Sequence, residues 1–179
     1  MRILGIDPGS NKTGWGIVED QRGDLRCLAA GVARAGQGEV SARLGRIGLR
    51  LDEILDQWSP DVVALERAFV GRNVHSALRL GEVRGVVLGN AGRRGLRVVD
   101  YPPATVKVAV AGAGAATKEM VARGVGALLG LEVEAGDATD ALAVAICHLR
   151  HDRFAERLSE ASTVARAGRP TVRVGRRRA

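Results

Sequence analysis

"RILGIDPGSNKTGWGIVED", residues 2–20, decides how the rest of the chain is read. Residues 2–7 form an apolar run that ends on Asp7, with Pro8 and Gly9 directly after it. A second apolar run opens at residue 14 and lasts to about residue 20. Two such runs joined by the Gly/Asn turn "PGSNKTG" read as a β-hairpin, because glycine and asparagine accept the backbone angles a tight turn needs. The carboxylate closing the first run is the anomaly. A turn former or an ion-pair partner would account for one such acid.

Outward from the hairpin, a third strand is expected over 25–35, entered through the Arg22-Gly23-Asp24 turn. Leu44, Ile47, Leu51, Ile54, Leu55 and Trp58 recur at helical spacing, so 39–58 reads as an amphipathic helix stopped at Ser59-Pro60. "DVVALE" (61–66) reads as a short apolar strand, 73–92 as a helix and "LRVVD" (96–100) as a further strand. Strand, helix, strand in that order implies parallel pairing through right-handed crossovers. Helical stretches near 103–111 and 117–130 follow, then a last helix over about 137–150. The expected fold is α/β: a mixed five-stranded sheet, three antiparallel strands then two parallel, with helices on both faces.

Length and composition agree with one domain. The 179 residues are 46% hydrophobic, which suffices for a real core and excludes a disordered or collagen-like chain. No apolar run approaches the ~20 residues that span a bilayer. Residues 1–20 carry no export-signal pattern, which makes the cytoplasm the expected location. Cys27 and Cys147 lack metal-ligand spacing and read as small buried hydrophobes. The formal charge of +7 suggests a polyanionic partner, but residues 161–179 hold six arginines and no acid, leaving 21 basic against 20 acidic groups elsewhere. The expected organisation is therefore one domain over 1–155 and a basic, flexible tail over 156–179, able to attract phosphates by counterion release. An inert solvated terminus is the other reading of that tail.

Glu66 closes "DVVALE" as Asp7 closes "RILGID". Parallel neighbouring strands would bring both to the carboxyl edge, where open α/β sheets place their sites. "AGDATDALAVAICHL" adds Asp137 and Asp140, spaced i and i+3 on one face in the first turn of the last helix. Aspartates there also cap free amides and suit the helix dipole, so either would belong there without any chemistry. Four acids at one edge repel one another and require a cation. All-oxygen ligation selects a hard ion, Mg²⁺ or Mn²⁺. Two ions about 3.5–4 Å apart would serve in-line displacement at a phosphodiester. His75, His148 and His151 read as surface or helix-end residues, with His148 close enough to the acids in sequence to stay a candidate.

"GIDPGSNKTGWGIV", "ALERAFVGRNVHSALRLGEVRGV", "YPPATVKVAVAGAGAATKEMV" and "GDATDALAVAICH" together resemble the RuvC family of Holliday-junction resolvases, over roughly residues 1–150 and in the family's order. The resemblance implies an RNase H-like nuclease fold, with Asp7, Glu66, Asp137 and Asp140 as the metal-binding catalytic acids. It implies a homodimer nicking two strands of a four-way DNA junction symmetrically, supplied with substrate by branch-migration motor proteins. Lys12, Lys107 and Lys118 are the chain's lysines. The resemblance places Lys107 and Lys118 near the scissile strand, where an ammonium can hold phosphate or steady developing charge. Phe69 then stacks on an unpaired base, or else anchors its loop in the body. Arg72 and Arg79 become DNA-backbone contacts. Gly81, Gly85 and Gly89 form a stripe without side chains, at a cost of roughly 1 kcal/mol each in helix propensity. The stripe serves close packing on the protein's own sheet or, as in the family, a dimer interface.

Other functions fit parts of this pattern. "DPGSNKTG" also resembles the phosphate loop of actin-like ATPases, which need a second lobe and loop that this chain lacks. An RNase H-fold nuclease acting on other branched DNA or on RNA, or a binder that does not cut, shares the fold but not the whole set of residues.

Overall fold

The opening hairpin forms from β1 (Arg2–Asp7) and β2 (Lys12–Gln21), antiparallel, with Ile6 opposite Trp15 and Asp7 opposite Gly14. β3 (Asp24–Arg34) follows through Arg22 and Gly23, whose φ angles of 56° and 114° match the twist a two-residue hairpin turn requires. These elements belong to a computed structural model that describes residues 1–67 and 74–167, with side chains through residue 155. α1 (Val40–Trp58) leads into β4 (Val62–Glu66), and α2 (Val74–Arg93) into β5 (Arg97–Tyr101). α3 (Pro103–Ala111), α4 (Lys118–Leu129) and α5 (Asp137–Ala167) complete the chain. The strand order is β3-β2-β1-β4-β5, with β1–β4 and β4–β5 parallel.

β1 lies at the centre, so its side chains are buried on both faces: Ile3, Leu4 and Ile6 are each 0–1% exposed. This explains an apolar run without polar alternation. On one face Ile3, Val18, Val62 and Ala64 pack against Val106, Val125 and the Leu142–Cys147 stretch, from α3, α4 and α5. On the other, Leu4, Ile6, Ile17 and Leu65 meet Ile47, Leu51, Ile54 and Val83, from α1 and α2. The two helices of that face are tied together by Asn90, whose amide donates to the Gly48 carbonyl at 2.7 Å, and by Arg94 against Asp52 and Asp56. Arg84 of α2 grips Asp100 of β5 with two hydrogen bonds of 2.6 and 2.7 Å.

Three differences from the sequence expectations have physical causes. β2 begins at Lys12, two residues before the expected start, so the end of the turn stretch is strand and Gly14 lies within it. Its lack of a side chain serves α5, because a Cβ on Gly14 would overlap the Asp137 carbonyl oxygen. Gly5 and Gly16 act likewise: a Cβ on Gly5 would stand 2.8 Å from the Ala145 amide nitrogen, and one on Gly16 2.6 Å from Leu142 Cδ2. α5 therefore rests directly on β1 and β2.

The second concerns length: α5, expected to about 150 with "HDRFAERLSE" able to extend it, continues to Ala167, as nothing in that stretch breaks a helix. The region expected as a tail from 156 thus begins inside α5, while 168–179 lie outside the described residues.

The third is His148, which is neither at the surface nor at a helix end. It is 2% exposed in the core, with Nδ1 hydrogen-bonded to the Tyr101 hydroxyl at 2.7 Å, and burial lowers its pKa and favours neutral imidazole. Cys147 is fully buried and Cys27 partly so, both as free thiols. Among the described residues no helix is long and apolar enough to cross a membrane.

Candidate active site

The parallel register runs from Ile3 opposite Val62 to Ile6 opposite Leu65, so the next residues on the two strands are Asp7 and Glu66. Side chains alternate along a strand, which puts Asp7 on the face of Gly5 and Glu66 on the face of Ala64, the side covered by α5. The glycine seat fixes the start of α5 against β2 and brings its first turn beside them. Asp7, Glu66 and Asp140 line one pocket of about 240 Å³ together with Lys107 of α3 and Lys118 of α4. Asp137 is not one of the lining residues, though its charge acts on Asp7.

α4 positions Lys118 through a proper helix start. Thr117 caps the helix, its hydroxyl oxygen accepting from the Met120 amide at 3.3 Å. Lys118 Nζ reaches Asp140 Oδ2 at 3.2 Å. Lys107 lines the same pocket without forming an ion pair among the described residues.

The electrostatics are those of an over-acidic site. Burial, then the charges of Asp140 and Asp137, push the Asp7 carboxyl up to about 6 against the opposing pull of Lys118. Burial, then Asp7 and Asp140, push Glu66 up to about 7 although both lysines oppose it. The Lys118 ammonium is shifted upward, by its hydrogen bond to Asp140 first. Two lysines therefore do not neutralise the acids. The donor set, all carboxylate oxygen with unbalanced negative charge, fits a hard divalent cation. In the arrangement described, no three Asp, Glu, His or Cys groups among the described residues lie close enough to share one ion, and Asp140 is engaged by Lys118.

The remaining candidates divide. Arg79 lies on the α1–α2 side, in a small cleft with Ser10, Arg43 and Glu82, beside the loop that follows Asp7 but not in the acidic pocket. Phe69 and Arg72 lie outside the described residues. Gly81, Gly85 and Gly89 face no neighbour among the described residues: a Cβ on any of them would find none of their atoms within 4 Å. They do not pack on the protein's own sheet. Gly85 and Gly89 instead line an open groove with Leu44, Gly48 and Leu49. A separate apolar cleft, about 420 Å³ between α3 and α5, is lined by residues such as Val108, His151 and Phe154, with no carboxylate among the described residues of its walls.

Sequence reasoning named Asp7, Glu66, Asp140, Lys107 and Lys118, which share this pocket, but missed what sets them in place: Gly5, Gly14 and Gly16 as the seat of α5, and Thr117 as the cap beneath Lys118. The signal was there in the alternation Gly14-Trp15-Gly16, which bares one face of a strand.

Acids at the ends of the central parallel strands, met by acids from a helix laid over the same face, define a nuclease of the ribonuclease H-like class. The family model described as crossover junction endodeoxyribonuclease RuvC matches residues 3–148, and the chain belongs to that family. The family is one of metal-dependent nucleases. The RuvC protein of Chlorobaculum parvum is 48% identical over 152 residues, covering 83% of this chain and 81% of that one. That of Myxococcus xanthus is 45% identical over 172 residues, covering 94% of this chain and 90% of that one. The solved structure of T. thermophilus RuvC in complex with a Holliday junction substrate superposes with a TM-score of 0.81 at 36% identity, covering 87% of this chain and 96% of that one.

Proposed function

We propose that this protein resolves four-way DNA junctions by nicking two strands symmetrically, in recombination and repair. The observation that carries the reading is the convergence of Asp7, Glu66 and Asp140 with Lys107 and Lys118 in one pocket at the carboxyl edge of β1 and β4. Family membership and the junction-bound relative support the substrate.

Asp7 would hold divalent metal, two ions of Mg²⁺ or alternatively Mn²⁺, together with the neighbouring acids. Glu66 and Asp140 would complete the ligand set, and Asp137 would orient it. Metal held there would supply a water of lowered pKa and offset the charge on the phosphate in an in-line displacement. Lys107 and Lys118 hold the scissile phosphate in position, each as a point charge. Phe69 stacks on an unpaired base at the branch, and Arg72 and Arg79 contact the backbone. Recognition then rests on branched shape, with strong salt dependence.

A homodimer supplies the second active site. The open stripe of Gly81, Gly85 and Gly89 supports that assembly, as it offers a face another backbone can approach. Residues 1–155 act as the nuclease domain and the tail from 156 adds attraction for phosphates. Cytoplasmic branch-migration motors deliver the junction.

The test incubates purified protein with a synthetic four-way junction and a matched linear duplex, with Mg²⁺, Mn²⁺ or chelator. Paired nicks at the branch, metal-dependent and missing from the duplex, are expected. Asp7→Asn retains junction binding and leaves the strands uncut. Continued cleavage by that variant removes Asp7 from the mechanism.

A further inference from the structure

Lys118 sits where helix electrostatics disfavour it. It is the first residue of α4, at the positive end of the helix dipole, where acids are stabilised and cations are not. Its side chain is 68% exposed yet reaches in from the rim to Asp140, whose own side chain is 18% exposed. Lys107 lines the same pocket and forms no ion pair among the described residues. So of two lysines at one site, one has no ion-pair partner among the described residues and the other is bound to a carboxylate. A lysine's flexible four-carbon stem allows its ammonium to swing while its Cα stays fixed.

A divalent ion requires close ligand oxygens, and Mg²⁺ tolerates little departure from octahedral geometry. It competes with the ammonium for the same negative charge, and two cations held at one carboxylate repel each other. We propose that Lys118 is a built-in counter-ion which divalent metal displaces from Asp140, so that metal binding frees the ammonium for the incoming phosphate. The inference rests on the reading of the acids as a metal site, and it orders the events: ion first, lysine released second, phosphate held third.

The experiment titrates Mn²⁺ into the DNA-free protein by calorimetry, comparing wild type, Lys118→Met and Lys107→Met. An exposed ion pair is worth about 0.2–1 kcal/mol, so Lys118→Met is expected to bind Mn²⁺ up to about fivefold tighter. Lys107→Met reports the effect of removing a nearby charge that holds no acid, and its gain is expected to be smaller. A second readout uses the three lysines as sparse probes, since Lys12, Lys107 and Lys118 give the only lysine ammonium signals in an NMR spectrum. The signal absent from Lys118→Met should move when wild type receives Mg²⁺. Equal affinities in Lys118→Met and wild type, equal gains in both variants, or an unmoved Lys118 signal would overturn the proposal while leaving the metal site standing. A wild type that binds no Mn²⁺ overturns both.

Discussion

Gly14 lies in direct apposition to the Asp137 carbonyl, and on the sheet it pairs with Asp7. One residue without a side chain thus sets the distance between a strand acid and the helix that carries two others. Gly14→Ala must lift the start of α5 from β2. Overpacking of this kind costs typically about 1–3 kcal/mol, a loss of roughly 2–4 °C in Tm per kcal/mol at this chain length. Junction cleavage should fall further than the folded fraction does, because Asp137 and Asp140 move with the helix. Gly81→Ala, whose Cβ would meet nothing, should leave Tm unchanged or raise it. Calorimetric melts beside cleavage rates at 25 °C check both.

The raised acids give a pH dependence with a definite sign. Asp7 and Glu66 have folded-state pKa values of about 6 and about 7, above their ordinary 3.8 and 4.5. In the unfolded chain they ionise first, so the folded metal-free protein loses stability as pH rises from near 4 through 7. At pH 8, without divalent metal, Asp7→Asn and Glu66→Gln should therefore be more stable than wild type, each by about 1 kcal/mol after allowance for partial solvent screening. Near pH 4 the advantage should disappear. Melts with chelator at the two pH values decide it; a variant that gains nothing at pH 8 would refute the electrostatic account.

Metal and protons compete for the same oxygens, since carboxylates bind the ion only when ionised. The pH of half-maximal cleavage should accordingly move downward as Mg²⁺ is raised, starting from the neighbourhood set by Glu66 at about 7. Rates across pH 5–8 at two Mg²⁺ concentrations measure the shift. A midpoint indifferent to metal concentration would mean that neither Asp7 nor Glu66 gives up its proton to the ion.

The sheet was legible from residues because period and punctuation agree: apolar runs ending at Asp7 and Glu66, a helix closed by Ser59-Pro60, a helix opening at Asp137. The acids were legible because an unpaired carboxylate at the end of an apolar strand contradicts its surroundings. Gly14 was read as turn material because glycine carries two meanings, backbone freedom and close approach, and only the position of α5 separates them. His148 shows the same limit. A histidine in "AICHL" looks terminal until Tyr101, 47 residues earlier in the chain, is found beside it. Both errors come from contacts distant in sequence, which local pattern does not encode.

The glycine stripe on α2 allows a prediction about assembly. Glycine lowers helix stability, yet Gly81, Gly85 and Gly89 serve no contact among the described residues. Around them stand exposed apolar side chains: Val74 is 70% exposed, Leu78 62% and Leu49 66%. A two-fold contact buries the same patch twice, so one substitution acts twice on the dimer and not at all on the fold. Gly85→Arg should keep or slightly raise the protomer's Tm, since arginine exceeds glycine in helix propensity by roughly 0.7 kcal/mol. The same variant should sediment as a monomer at micromolar concentration, and its products on a four-way junction should be single nicks in place of paired ones. A Gly85→Arg protein that remains dimeric would place the interface elsewhere and return the stripe to an unexplained cost in helix stability.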